Sequence, residues 1–428
     1  MHMPPRSGST PILTGDLTEM AAQLWRSLQP ERWPLSIDQL PAGAVLVGGA
    51  VRDGLLGRLP ETPDLDFIVP DQALTSARRL AREHEGACVV LDAERDMARV
   101  ALKGWTIDLA RQDGATLNED LNRRDFRLNA IALKMDGTSP RLLDPTGGLK
   151  DLREGRIAAV REKNLQDDPL RLLRGVRLMA ELGMSIDALT LEMIQRNREL
   201  LRHAAPERIQ AEILRLVAAP AADRAIQTTR EMDLLQPWST QSNTAFSQGS
   251  PAIGEACALL TTSERAQALP LARLTALLTD AGLKQLRCSR KQMHRCERLR
   301  HWWMETLGKE PCIHPDQLAE QDRLALHQDL EKDLPAFILA LPESEQTHWL
   351  MRWRNPQDPL FHPRPPLDGN SLQQNLKVSP GPILGALIRH LTLERAYGRL
   401  SNREQALHAA RSWLSHHSVS TASNGSCD

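Results

Sequence analysis

The sequence predicts an α+β fold, a mixed sheet-and-helix head followed by an all-α body. Three observations carry this. Short apolar or alternating segments of strand type (AVLV, DLDFIV, ACVVLD, MARVALKG, WTIDLAR) are confined to the first 150 residues. From about Asp151 onward the apolar residues recur with helical spacing instead. The first strand ends in a glycine pair, AVLVGG, which turns the chain into a helix beginning VRDGLLG.

In chain order, residues 1–14 are polar with Pro, Ser and Gly and are expected to be disordered. Residues 20–28 read as a short amphipathic helix. The head follows over 15–150, with LTSARRLAREHE as a helix of good propensity between the second and third strands. After the strands come LNRRDFRLNAIALKM and a turn, LLDPTGG. The stretches DPLRLLRGVRLMAELG, LTLEMIQRNRELLRHA and PERIQAEILRLVAA carry helical periodicity, with Gly183 and Pro206 as punctuation. They define a helical neck over 151–217. A helical body over 218–417 is broken by Pro, Gln and Ser near 236–251 and 355–367. The tail, 418–428, is expected to be flexible.

Composition narrows the function. No apolar run approaches the roughly 18 residues of a membrane span, and the N-terminus lacks a signal-type apolar core, so no membrane partner and a cytoplasmic location are expected. Six cysteines in 428 residues do not suggest a disulfide framework, and Cys288, Cys296, Cys312 and His314 lack zinc-finger spacing. The formal net charge is −1, so phosphate binding must come from local patches. Aromatic residues are only 4%, too few for an extended base-stacking platform.

The chemistry-bearing pattern is DLD. Residues i and i+2 of a strand face one way, so Asp64 and Asp66 project together while Leu65 and Phe67 enter a core. Neighbouring carboxylates repel unless a cation joins them, and Mg2+ accepts carboxylates and substrate phosphates together. The bland alternative is a turn cap after Pro63. Asp108, on another strand, is a third candidate acid; three acids around one or two metals suit nucleotidyl transfer. The upstream GGAVRDG lets backbone N–H groups approach a phosphate. It has neither the dinucleotide spacing nor the lysine of a P-loop.

GGAVRDGLLG, DLD, NRRDFRLNAIA, DPTGGLKDL and DDPLRLLRGVR stand in one order, and together they resemble the class II tRNA nucleotidyltransferase and poly(A) polymerase family. The resemblance is strong over 45–217, and the stretch from Leu367 to Leu407 is similar to the family's last helical domain. It implies a polymerase-β-type nucleotidyltransferase head. It further implies a metal-binding pair at Asp64 and Asp66 with Asp108 as the third acid, and a triphosphate near Gly48, Gly49 and Arg52. Arg123, Arg124, Asp125 and Asn129 would surround the ribose and phosphates, with Asp125 selecting the sugar. Asp168 and Arg171, three apart and expected on one helix face, would read the base edge of CTP or ATP in place of a template. Arg174 and Arg177 would continue that face toward phosphate or the RNA end. Alone, these arginines and the Asp168–Arg171 pair also suit solvated helix surfaces.

Two departures from the family pattern stand out. Asp167 replaces the expected Glu of E-D-x-x-R. Only QDGATLNEDLN separates Arg111 from Arg123, a shortened form that the family associates with addition of CC alone. The implied function is template-independent addition of CMP, and of AMP in a full CCA-adding enzyme, to the tRNA 3′ end. If addition stops at CC, a separate A-adding enzyme would act in sequence. A poly(A) polymerase is disfavoured by the short neutral tail, and an inactive RNA-binding relative by the intact Asp64, Asp66, Arg124 and Asp168. For the tRNA acceptor arm, the basic run 284–303 offers Arg290, Lys291, Arg295 and Arg298, with the alternative of a solvated helix whose Trp pair enters the core. Arg389, Arg395, Arg399 and Arg403 form a second candidate surface.

Overall fold

In a computed structural model of the chain, residues 10–136, 139–239, 259–309 and 311–422 are described. They form two compact units that divide after Leu235. In the first unit the elements run α1 (Leu17–Leu28), β1 (Val45–Val47), α2 (Gly49–Leu55), β2 (Leu65–Val69), α3 (Ala73–Glu83), β3 (Ala87–Asp92), β4 (Met97–Leu102), β5 (Trp105–Arg111) and α4 (Leu117–Asn122). They continue with β6 (Ala132–Asp136), β7 (Ser139–Leu143), α5 (Gly148–Arg153), β8 (Arg156–Ile157), α6 (Glu162–Asp167), α7 (Leu170–Leu182), β9 (Ser185–Ile186), α8 (Ala188–Asn197), α9 (Pro206–Ala218) and α10 (Ala222–Glu231).

Seven strands form one sheet in the order β3-β4-β5-β2-β1-β6-β7. All its neighbours are antiparallel except β2 and β5, which run parallel with Asp66 opposite Asp108. Strand alternation sorts β2 as the sequence predicts. Leu65 and Phe67 are buried, Phe67 edge-on to Trp33 at 5.9 Å. On the other face Val45, Val47, Ile68 and Ala132 pack with Leu121 of α4. Asp66 lies on that second face, two residues before Ile68.

Several boundaries differ from the sequence expectation. Asp16 caps α1 by accepting from the Thr18 and Glu19 N–H groups at 2.8 Å each, which starts the helix at Leu17. Ile12 N–H donates to the Leu55 carbonyl (2.7 Å) and the Leu13 carbonyl accepts from Arg153 (2.8 Å), so this part of the expected disordered lead is tied to the head. Residues 1–9 lie outside the described residues. The hairpin of β6 and β7, within IALKM and the segment before DPTGG, is an addition to the predicted strands. Helix α10 belongs with the neck rather than the body. It packs on α7 and α9, with Ala221 N–H donating to the Ala180 carbonyl at 3.0 Å.

The regular elements described in the second unit are all helices. Leu367, Leu372, Leu384, Leu387 and Leu391 with Ala406 and Ala410 form one core, under the helices Gly369–Leu376, Pro382–Ala396 and Arg403–Ala422. The last helix runs to Ala422, into the segment expected to be flexible; residues 423–428 lie outside the described ones, as does most of the break expected at 236–251. None of the described helices is long and apolar enough to cross a membrane.

Candidate active site

The acids lie at the centre of the sheet. Asp64 is exposed immediately before β2. Asp66 is half-buried, and its pKa is pushed up to about 6, first by burial and then by the Asp108 and Asp64 carboxylates, against the opposing pull of Arg124 and Arg99. Asp108 is held across the β4–β5 ladder by both arms of Arg99, each at 2.8 Å. The three carboxylates do not all come within 4.8 Å of one another. The Asp64–Asp66 pair, an all-oxygen set in which burial and the neighbouring carboxylates make ionisation of Asp66 costly, fits a hard divalent cation; Asp108 already has the Arg99 guanidinium as its counter-charge.

The glycine turn fits tightly over this cluster. Gly48 has φ +75° and ψ −137°, and a Cβ placed there would lie 2.8 Å from Asp66 Oδ2. Only glycine permits both the backbone and the approach. Beyond it, Gly49 begins α2, and Arg52 is buried. Arg52 donates to both oxygens of Asp53 (2.9 Å each) and to Asn129 Oδ1 (2.7 Å). Asn129 donates in turn to Asp125 (3.1 Å).

Arg123 and Arg124 follow the end of α4, and the turn they open is clamped from the neck. Asn164 donates to the carbonyls of Asn122 and Arg124 at 2.9 and 2.7 Å, and Val160 N–H to that of Asp125 at 3.0 Å. Phe126 packs where α7 carries Gly175, at which a Cβ would stand 2.7 Å from the ring. Asp125 is buried and fully engaged, by Phe126 N–H, Asn129 and Arg174. Burial opposes its ionisation, but Arg174 and Arg171 outweigh that and lower its pKa. Arg123 pairs with Asp113. Arg124 lies 3.4 Å from Asp120, and its Nε has no hydrogen-bond partner among the described residues.

The expectation that Asp168 and Arg171 share one helix is corrected. Helix α6 ends at Asp167 and α7 begins at Leu170; Asp168 is extended (φ −135°, ψ 94°) in the break. Pro169 explains this, since the residue before a proline is driven out of the helical region. The Arg171 N–H still bonds the Asp168 carbonyl at 2.9 Å, so the two stay adjacent. Their side chains are held by other groups. Asp168 accepts from Leu170 N–H (3.2 Å) and from Arg208 of α9 (3.1 Å). Arg171 donates to the carbonyls of Arg123 (2.8 Å) and Asn164 (3.2 Å). Asp167 is paired with Lys163 at 2.9 Å.

Arg177 is also corrected. It does not lie on an open helix face but is buried between Glu212 and Glu181, which neutralise its charge. Arg174 bridges Asp125 (3.2 Å) and Glu212 (3.5 Å).

Two clefts meet at this site. The larger, about 1120 Å³, runs from Asp66, Arg99 and Asp108 past Arg123 and Arg124 to Asp168, Arg171 and Arg208. The smaller, about 390 Å³, is lined by Gly48, Gly49, Arg52, Asp64, Asn129 and Arg215. Asp66, Arg99, Arg124, Asp125 and Arg174 line both. Of these, Arg99 escaped the sequence reading, although its alternation in MARVAL marks a polar residue on a sheet face. Arg208 and Asn164 carried no sequence signal, because their partners lie about forty residues away.

In the second unit Arg290 and Lys291 are exposed on the helix Arg290–Glu305, whose Cys296, Leu299, Trp302 and Trp303 are buried. Arg295, also expected to face RNA, is bound by both oxygens of Asp333, the shortest contact being 2.6 Å. Arg298 is half-buried. In the other basic run Arg399 is paired with Glu320 and Glu394. Among the described residues one trio of metal-capable side chains gathers, His314, Asp316 and Glu345, and Arg323 already occupies Asp316.

Comparison with known proteins agrees with this geometry. The poly A polymerase head domain family matches residues 44–158, and the family described as "probable RNA and SrmB- binding site of polymerase A" matches 183–239. The CC-adding tRNA nucleotidyltransferase of Synechocystis is 32% identical over 399 residues, covering 87% of this chain and 94% of its own. That of Thermus thermophilus is 31% identical over 411 residues, covering 86% and 92%. The Thermotoga maritima CCA-adding enzyme, solved in complex with tRNA, shares the fold with a TM-score of 0.67 at 22% identity, over 87% of this chain and 91% of that one. The chain belongs to the tRNA nucleotidyltransferase and poly(A) polymerase family of template-independent nucleotidyltransferases.

Proposed function

We propose that this enzyme adds CMP from CTP to the 3′ end of tRNA and stops after two additions, leaving the final A to a separate A-adding enzyme. The observation that supports it most is the larger cleft, whose lining joins Asp66 and Asp108 of the head to Asp168 and Arg171 of the neck. A nucleotide laid along it would present its α-phosphate to the acids and its base to the neck. The halt at CC rests on the short Arg111–Arg123 segment and on full-length relatives that are CC-adding.

In the reaction the tRNA 3′-oxygen attacks the α-phosphorus of CTP, and the bond to the β-phosphate breaks to release pyrophosphate. Asp64 and Asp66 would hold a magnesium ion; when bound it neutralises phosphate charge and eases ionisation of the attacking hydroxyl. Arg124, which lines both clefts and whose side chain makes, among the described residues, only a 3.4 Å ion pair with Asp120, meets the triphosphate. The Gly48–Gly49 turn admits the phosphates close to the backbone. Arg52, Asn129, Asp125 and Arg174 form the hydrogen-bonded chain that fixes the ribose side, and positioning of this kind supplies much of the rate. Asp168 accepts from the cytosine amino group while Arg171 donates to the ring edge. Arg290 and Lys291 give tRNA phosphates an exposed, sequence-independent contact.

A primer-extension gel tests the reading. Purified enzyme meets tRNA lacking its CCA end, with magnesium and with CTP and ATP separately and together. Arrest after two C residues with ATP present is expected. Completion to CCA would favour the second reading, a full CCA-adding enzyme, and remove the short segment as a determinant.

A further inference from the structure

The base-reading pair is held apart by a third residue. Asp168 and Arg171 are adjacent and oppositely charged, yet their side chains do not bond each other. Asp168 Oδ1 is held by the Leu170 N–H at 3.2 Å and Oδ2 by Arg208 Nη2 at 3.1 Å. Arg171 is turned to the carbonyls of Arg123 and Asn164. We infer that Arg208 is a specificity-determining positioning residue: it fixes the plane of the Asp168 carboxylate and keeps it from collapsing onto Arg171. This rests on the proposed role of Asp168 and Arg171 in reading the base.

The geometry has a plain physical consequence. The terminal torsion of an aspartate is soft and nearly two-fold, so one backbone hydrogen bond alone leaves the second oxygen free to swing. Asp168 lies in the extended break between α6 and α7, where no helix restrains it. Arg208, in the first turn of α9, pins the second oxygen from a different element. A carboxylate has about four acceptor sites, so two held contacts still leave lone pairs for a base amino group. Without Arg208 the Asp168 carboxylate is left beside Arg171, whose backbone N–H already bonds the Asp168 carbonyl, and their mutual pair would consume both readers. Discrimination between CTP and UTP is the sensitive quantity, because they differ at the position facing an acceptor: an amino donor in one, a carbonyl acceptor in the other. The fixed carboxylate favours the first and repels the second.

The test compares kcat/KM for CTP and UTP on tRNA lacking its CCA end, with full-length Arg208→Ala, Arg208→Lys and Asp168→Ala. The Arg208 side chain is 53% exposed, so its truncation removes little packing. Arg208→Ala is expected to lose roughly tenfold to a hundredfold of the CTP-over-UTP ratio, the range for losing one charged hydrogen bond, chiefly through KM for CTP. Arg208→Lys should restore part of it, and Asp168→Ala should lose at least as much as Arg208→Ala. A ratio unchanged in Arg208→Ala but lost in Asp168→Ala overturns the inference and leaves the base-reading pair intact. An equal fall for both nucleotides in Arg208→Ala also overturns it, since that is the signature of general damage. A ratio unchanged in Asp168→Ala would instead remove the base-reading assignment on which the inference stands.

Discussion

Replacing Gly48 by alanine tests the core of the site with one added carbon. The backbone there, φ +75° and ψ −137°, is a glycine conformation, and forcing a side chain into such a region costs about 1–3 kcal/mol. The new Cβ would also stand 2.8 Å from Asp66 Oδ2, closer than real Cβ atoms come, so the carboxylate must move. It cannot move far without disturbing its neighbours, because Asp66 is in register with Val47 on one side and Asp108 on the other. Gly48→Ala should therefore lose about 1–3 kcal/mol in urea unfolding and on the order of 10²-fold in single-turnover CMP incorporation, the scale of a ligand misplaced by about an ångström. Gly49→Ala is the internal control for stability. Its Cβ would meet nothing nearer than Arg52 Nη2 at 3.8 Å, so its unfolding should stay within about 0.5 kcal/mol of the parent. A Gly48→Ala enzyme of parental stability and rate would refute the reasoning, as would a Gly49→Ala enzyme equally destabilised.

Four further outcomes are expected. Asp64→Ala should abolish CMP incorporation and weaken Mn2+ binding measured by electron paramagnetic resonance; unchanged incorporation would sink the metal assignment. Glu212→Ala strips a partner from Arg177 and Arg174 together and should destabilise the first unit by about 3–5 kcal/mol in denaturant titration, the cost of orphaning a buried charge. His327 is enclosed against Trp349 and Phe361, and burial, followed by Arg323 and Arg352, pushes its pKa down to about 3. The unfolded chain takes a proton there below about 6.5 and the folded chain does not, so stability falls as pH drops from 6.5 toward 3, by about 2 kcal/mol at pH 5; His327→Phe should flatten that part of the pH–stability curve. Arg290→Glu combined with Lys291→Glu should weaken tRNA binding most at low salt and reduce its salt dependence, whereas equal binding at every salt concentration would place the RNA elsewhere.

What was legible in the sequence was what depends on neighbours in the chain. Asp64 and Asp66 declare themselves because strand alternation is local, and Leu65 and Phe67 are buried as that alternation requires. The succession of head and helices was equally readable from periodicity. Asp168 was misplaced because helical spacing was given more weight than Pro169, whose effect on the residue before it is just as local. The partners of Arg177 and Arg295 depend on which carboxylates tertiary packing delivers: Glu212 and Asp333 are far along the chain, as is the Asn129 amide that Arg52 meets beyond its neighbour Asp53. A basic helix such as Arg290–Glu305 looks uniform in sequence, yet packing divides it into exposed cations and internal ion pairs. The same reason hid Arg99 and Arg208, which acquire meaning only opposite Asp108 and Asp168.

The parallel pairing of β2 with β5 also bears on how the enzyme assembles. Parallel neighbours cannot be joined by a tight turn, and here the chain leaves β2, forms α3 and the β3–β4 hairpin, and returns as β5. Arg99 and Asp108 are nine residues apart on the β4–β5 hairpin, so they can meet early, by local closure. Asp108 comes to lie beside Asp66 only through the non-local pairing of β5 with β2. Local closure can thus give one carboxylate its counter-charge before it is brought against another, an order that would ease the electrostatic cost of building an acidic centre in a sheet.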